Sequence, residues 1–222
     1  MQQSSYKTIE TPCEGLFKDK GSKFFAFAYP IDTAAQAKPL IDSLRKEHHG
    51  ARHLCWAYKL GYSGSEYRTN DDGEPANTAG KPILGQIDAF GLTNILLCVV
   101  RYFGGTLLGV GGLIQAYKEA AREALSAAHI VERSIEKHFT INCKYSLQTT
   151  VNQILKQHNA RVISQSFNQS CRLTCAIPIT HAESFLASIT NYQLQITNGK
   201  GEDIHKQNQD CHCEQREAIY TE

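Results

Sequence analysis

Asn94-Ile-Leu-Leu-Cys-Val-Val100, Arg101-Tyr-Phe-Gly-Gly-Thr-Leu-Leu-Gly-Val-Gly-Gly112 and Leu113-Ile-Gln-Ala-Tyr-Lys-Glu-Ala-Ala-Arg-Glu-Ala-Leu-Ser-Ala-Ala128 follow one another without a break, and the chain is read outward from them. The first piece is a short apolar run bounded by polar residues and glycine, which suits a strand buried on both faces. The last repeats apolar residues at helical spacing: Leu113, Ala116, Tyr117, Ala120, Ala121, Ala124, Leu125 and Ala128. Its other face carries Lys118, Glu119, Arg122 and Glu123, with Glu119 and Arg122 placed to pair across one turn. Between strand and helix, Gly104, Gly105, Gly109, Gly111 and Gly112 crowd into nine positions. Glycine admits positive φ and lets a ligand or another backbone come close. A glycine-rich turn leading into a helix start presents unpaired N–H groups and partial positive charge, which suits an anion. Tight strand–helix packing with no ligand is the other reading of the same loop. Arg101 and Tyr102 at the strand end read as phosphate or base contacts, or as partners of a surface carboxylate. The loop lacks a Gly-Lys-Ser/Thr ending, and Gly-Val-Gly-Gly is not the dinucleotide fingerprint.

Composition sets the outer limits. The 222 residues suffice for one large domain or two modest ones. The net charge of +1 argues against a nonspecific polyanion binder as a whole. The charge is uneven, because residues 131–198 hold six Lys/Arg against three Asp/Glu, and residues 199–222 hold three against six. The first dozen residues show no basic-then-apolar leader, and no apolar run nears the roughly 18 residues needed to cross a bilayer. A cytoplasmic location with eight reduced cysteines is therefore expected. Cys55, Cys98 and Cys143 sit in apolar runs as small core residues. Cys171 and Cys175 share a strand face, and Cys211-His-Cys213 is too short for a structural metal site.

Along the chain, residues 5–10 and 23–31 read as strands. Thr33-x-x-Gln36 is a capping box for a helix through His48, in which Pro39 predicts a kink. His53 to Leu60 is the next strand, and residues 61–82 form the longest loop of the first half. A helix from Lys81 to Phe90 leads to the central strand. This alternation predicts an α/β domain with some antiparallel strands. From Ser134 a βαββαβ order follows: strand 135–145, helix 147–158, strands 160–167 and 170–178 joined at Asn168-Gln169, helix 181–190 and strand 193–198. Residues 199–222 read as an unstructured tail.

Three side-chain groups carry candidate chemistry. His53 and Cys55 point to one strand face, as a thiol–imidazole pair or as a buried Cys beside a hydrogen-bonded His. Asp71, Asp72 and Glu74 suit a hard cation, or make an Asx-type turn with Gly73 and Pro75. Lys23, Arg52, Arg68, Lys81 and Arg101 make either one basic patch with Tyr58, Tyr67 and Tyr102 beside it, suited to RNA, or a scatter of surface charges.

Arg101-Tyr-Phe-Gly-Gly-x-x-Leu-Gly-x-Gly-Gly112 resembles the signature of the YigZ/IMPACT family. Gly21-Ser-Lys-Phe, His53-x-Cys-x-Ala-Tyr58, Asp71-Asp-Gly-Glu-Pro75 and Thr78-Ala-Gly-Lys-Pro82 agree with it, in the family's order. The resemblance implies an α/β sandwich over residues 1–133, like the second domain of a small-subunit ribosomal protein and shared with small-molecule kinases and translation GTPases. It implies a ferredoxin-like domain over 134–198, similar to one in the elongation factor of translocation. The eukaryotic relative is a translational regulator working through protein partners. The expectation is accordingly a non-enzymatic, translation-associated protein that contacts RNA or the ribosome through the glycine loop. It takes no cofactor. The alternatives are an enzyme on a phosphorylated small molecule or nucleotide, with magnesium at the acidic loop, and a protein-interaction module.

Overall fold

The computed structural model describes residues 3–167, 170–190, 192 and 195–198. The tail 199–222, the corner Asn168-Gln169 and the expected start of the last strand at 193–194 lie outside the described residues. The chain divides into two compact units, Met1–Arg133 and Ser134–Glu222.

The first unit is built on a five-stranded sheet. Its strands are β2 (Cys13–Asp19), β3 (Ser22–Pro30), β4 (His53–Leu60), β5 (Glu66–Asn70) and β6 (Ile95–Tyr102), in the order β2-β3-β6-β4-β5. Every neighbouring pair is antiparallel. The apolar run is the central strand β6, and its residues Ile95 to Val100 are fully buried. Helix α1 (Ala34–Glu47) covers one face, over Leu54, Tyr58, Leu96, Cys98 and Val100. Helices α2 (Gly80–Ala89) and α3 (Gly109–Ser126) cover the other, over Phe24, Ala26, Cys55, Leu97 and Val99. The first strand, β1 (Ser5–Ile9), pairs separately with β7 (Ile130–Ser134).

Three strands were not expected from sequence. β2, β5 and β7 carry too many exposed side chains to show an apolar alternation. The stretch 61–82 is therefore not one long loop, because β5 lies inside it. At α1, Gln36 Oε1 accepts the Asp32 N–H at 2.7 Å and the Thr33 N–H at 3.1 Å, which is the Gln half of the expected box. Pro39 sits inside a helix that continues to Glu47.

Helix α3 starts poorly and is held by its middle. Glycines in helical positions cost roughly 1 kcal/mol each relative to alanine. Burial of Leu113, Tyr117 and Leu125, at roughly 1.5–3 kcal/mol each, outweighs that. The alanines on the same stripe bring α3 hard against the sheet. A Cβ on Gly15 of β2 would lie 2.4 Å from the Ala124 nitrogen. The Cys13 thiol donates to the Ala124 carbonyl at 3.3 Å along the same seam.

The second unit has β8 (Glu136–Cys143), α4 (Gln148–Gln157), β9 (Arg161–Phe167), β10 (Cys171–Pro178), α5 (Ala182–Thr190) and β11 (Gln195–Asn198). The sheet order β11-β8-β10-β9 is antiparallel at each described pairing, the arrangement of a ferredoxin-like domain. Phe139, Ile141, Leu173 and Ile177 pack under Val151, Ile154, Leu155, Phe185 and Ile189. Cys143 lies opposite Cys171, and Cys175 opposite Phe139, on that buried face.

Two outcomes follow from these cores. Gly15→Ala should lose about 2–3 kcal/mol in denaturant unfolding, because backbone faces backbone there and neither can yield. Burial pushes the Cys143 thiol up to about 11 and Cys175 up to about 12, from an ordinary 9.0. Above pH 9 the unfolded chain sheds these protons while the folded one keeps them. Stability should therefore fall as pH rises from about 9 to 12, and replacing both cysteines with alanine should flatten that slope in pH-dependent melts.

Candidate phosphate-contact site

The site lies where β6 ends and α3 begins. β6 pairs Arg101 with Phe24 of β3 and with His53 of β4, so all three side chains share the α2/α3 face. Tyr102, one residue on, pairs with Lys23 and points to the opposite face.

Arg101 is 6 % exposed. Its Nη1 donates to Glu74 Oε1 at 2.6 Å, and the same oxygen accepts the Tyr117 hydroxyl at 2.8 Å. The guanidinium is held between two rings, 5.5 Å from the Phe24 centroid and 5.6 Å from that of Phe103. Its Nε is buried without a hydrogen-bond partner. The Cys55 thiol lies 3.1 Å from the Asp71 carbonyl and 3.3 Å from the Tyr117 oxygen, with its single proton shared between these two acceptors. Desolvation drives the pKa of both Cys55 and Tyr117 far above the usual range. Cys55 is thus a protonated thiol in a hydrogen-bond chain. His53 Nδ1 lies 2.7 Å from the Asp72 carbonyl, which makes it the protonated nitrogen. The thiol–imidazole pair therefore takes its structural form: each member is tied to the acidic loop, not to the other.

The carboxylates of the acidic loop are engaged by the chain itself. Asp71 Oδ1 accepts the N–H groups of Ala79 and Gly80 at 3.0 and 2.8 Å, and Oδ2 accepts that of Asn77 at 3.0 Å. It caps α2 from eight residues upstream. Asp72 Oδ2 accepts the Leu54 N–H at 2.7 Å, and Oδ1 pairs with Arg45 at 2.9 Å. Asp72 and Gly73 adopt positive φ of 42° and 83°, as the turn reading requires. Among the described residues no three His, Cys, Asp or Glu side chains are arranged to hold a metal ion.

Above this network opens a cleft of about 360 Å³ whose walls include Arg52, His53, Pro75, Phe103, Leu107 and Val110. The first residues of α3 form one side, and no side chain caps that helix. The glycines separate into three kinds. Gly104 is a packing residue, since a Cβ there would lie 1.9 Å from the Gly21 carbonyl carbon. A Cβ on Gly112 would lie 3.0 Å from that of Leu108. Gly105 and Gly109 hold positive φ of 88° and 71° with open space around them. Gly111 has no positive φ, and a Cβ there would meet nothing within 4 Å beyond its own helix backbone, so packing does not demand a glycine there.

The five basic residues do not form one patch. Arg52 and Arg101 meet at this cleft. Lys23 lies on the opposite face of the sheet. Arg68 stands over Trp56, 6.0 Å from its ring, and Lys81 lines a separate hollow with Lys59 and Tyr67. Of the three tyrosines, Tyr58 is a core residue, Tyr67 projects from edge strand β5, and only Tyr102 stands at this end of the sheet. Sequence reasoning missed Phe103, His48 and the polar role of Tyr117. A tyrosine within an alanine stripe signals a hydroxyl that needs a buried partner.

The Impact N-terminal domain model matches residues 20–125, and the model of a domain of unknown function (DUF1949) matches residues 141–200. The IMPACT family member YigZ of Escherichia coli (strain K12) is 34% identical over 175 residues, covering 78% of this chain and 86% of that protein. The chain belongs to the IMPACT family. The IMPACT homologue of Saccharomyces cerevisiae is 33% identical over 138 residues, 58% of this chain and 52% of its own length. A crystal structure described as a hypothetical protein is 31% identical, with a TM-score of 0.70, over 90% of this chain and 100% of its own. The cleft, its buried ion pair and both acidic-loop aspartates fall inside the segment matched to the Impact N-terminal domain. Among the described residues no helix is long and apolar enough to cross a membrane.

Arg101 and Arg52 should behave oppositely on truncation. Arg101→Ala leaves Glu74 buried without its guanidinium partner, so a loss of about 3–5 kcal/mol is expected in chemical denaturation. Arg52 is exposed, so Arg52→Ala should stay within about 0.5 kcal/mol of the parent.

Proposed function

We propose that this IMPACT-family chain is a non-catalytic, translation-associated regulator that contacts RNA, free or on the ribosome, by gripping phosphate at the start of α3. The observation that carries this reading is Gly111, a glycine that neither backbone conformation nor packing requires, in the uncapped first turn of a long helix. With Gly105 and Gly109 it leaves the backbone N–H groups bare of side chains, as close approach by a phosphate needs. Arg52 supplies an exposed positive charge beside them, and the buried Arg101 fixes the floor. The translational link rests on what family membership implies, and the phosphate contact on this geometry.

The reading as an enzyme acting on a phosphorylated small molecule finds less support. The one thiol in the network is held protonated, and both oxygens of Asp71 and Asp72 and Oε1 of Glu74 are committed to N–H groups, Arg45, Arg101 and Tyr117. A general base or nucleophile would have to come from elsewhere.

Gly111→Glu tests the proposal without harming the fold. A glutamate in the first turn favours the helix by about 1 kcal/mol and puts its own charge where the phosphate would sit. Binding to ribosomes and to short RNA should fall at least tenfold, with an unchanged or higher Tm. The parent's binding should weaken steeply between low and moderate salt. Unaltered binding by the variant would remove the loop from the interface.

A further inference from the structure

A second cleft lies against the first and shares one wall with it. It has a volume of about 370 Å³ and is lined by Gly21, Lys23, Phe25, His48, Tyr102 and Phe103. Phe103 also lines the phosphate cleft, so a single exposed ring divides the two. They open on opposite faces of the sheet's end, because Arg101 and Tyr102 are consecutive on β6.

The lining is aromatic and ordered. Phe25 and Tyr102 meet edge to face at 5.8 Å, and Phe25 stacks on His48 at 5.9 Å. The His48 Nδ1 is held by the Tyr102 hydroxyl at 2.9 Å, while its Nε2 is buried with no partner. An unpaired ring nitrogen is unfavourable in a wall that serves packing alone. Lys23 is exposed at the rim.

We propose that this second cleft takes the unpaired base of a single-stranded RNA nucleotide whose phosphate sits at the start of α3, with Phe103 between them as the stacking platform. This inference rests on the phosphate reading of the first cleft. Aromatic side chains beside cationic ones along one path are what single-stranded nucleic acid needs, since every base offers a π face and every linkage a phosphate. A duplex keeps its bases stacked inside and cannot fill the aromatic cleft.

The test measures binding of the full chain, by fluorescence anisotropy, to four probes: a short unstructured oligoribonucleotide, an abasic oligomer of equal length and charge, a duplex of the same sequence, and a 5′ mononucleotide. The oligoribonucleotide should bind about tenfold or more tightly than the abasic oligomer or the duplex, in line with stacking of one base. Phe103→Leu should remove most of that preference, weakening the oligoribonucleotide far more than the abasic oligomer, while Arg52→Ala should weaken all phosphate-bearing probes alike. Equal, salt-sensitive affinity for intact and abasic oligomers would overturn the base cleft and leave the phosphate reading standing. A mononucleotide binding as tightly as the oligomer would assign the pair of clefts to a small ligand and overturn the RNA assignment. Absence of binding by every probe would overturn both.

Discussion

The ion pair between Arg101 and Glu74 ties together the three parts that make the site. One carboxylate oxygen, Glu74 Oε1, joins the end of β6, the acidic turn and the middle of α3 through Tyr117. Burying such charges is unfavourable by several kcal/mol per ion unless the geometry is close and the spare valences are filled. Here the distance is 2.6 Å, the carboxylate takes a second donor, and the guanidinium lies between two aromatic faces. The pair is thus a device of position more than of stability. Through it the Phe103 ring rests on the guanidinium, and the acidic turn is tied to both β6 and α3.

The acidic turn gains its shape by the same logic of filled valences. Asp71 is an N-terminal cap for α2 delivered from a distance, and Asp72 is a clamp between the backbone of β4 and Arg45 of α1. Both aspartates act as scaffold here, since each of their four carboxylate oxygens has its own donor. The charge left toward the cleft mouth is then that of Arg52 and the helix start.

How much of this could be read from the letters depended on whether the information was local. The β6 run and the α3 stripe were legible because apolar periodicity reports burial directly. β5, Glu-Tyr-Arg-Thr-Asn, was not, because an edge strand exposed on both faces has no periodicity to show. The cap on α2 was invisible because its donor set and acceptor are separated by a turn whose path is set elsewhere. Parity misled the reading of the basic residues. Lys23 and Phe24 differ by one position, as do Tyr102 and Arg101, and one position exchanges the two faces of a sheet. The glycines were the least legible. Gly104 and Gly111 are the same letter seven residues apart, one required by a backbone in contact and the other standing in open space.

The seam of small residues between α3 and the first strands has a kinetic meaning. Gly15 and the alanines opposite leave the helix little room to slide or tilt against the sheet. For the phosphate proposed at its exposed end, the N–H donors would already be in place and binding would wait on no rearrangement of the fold. Association would then be governed by diffusion and charge, and differences among ligands would be expressed in how long each one stays.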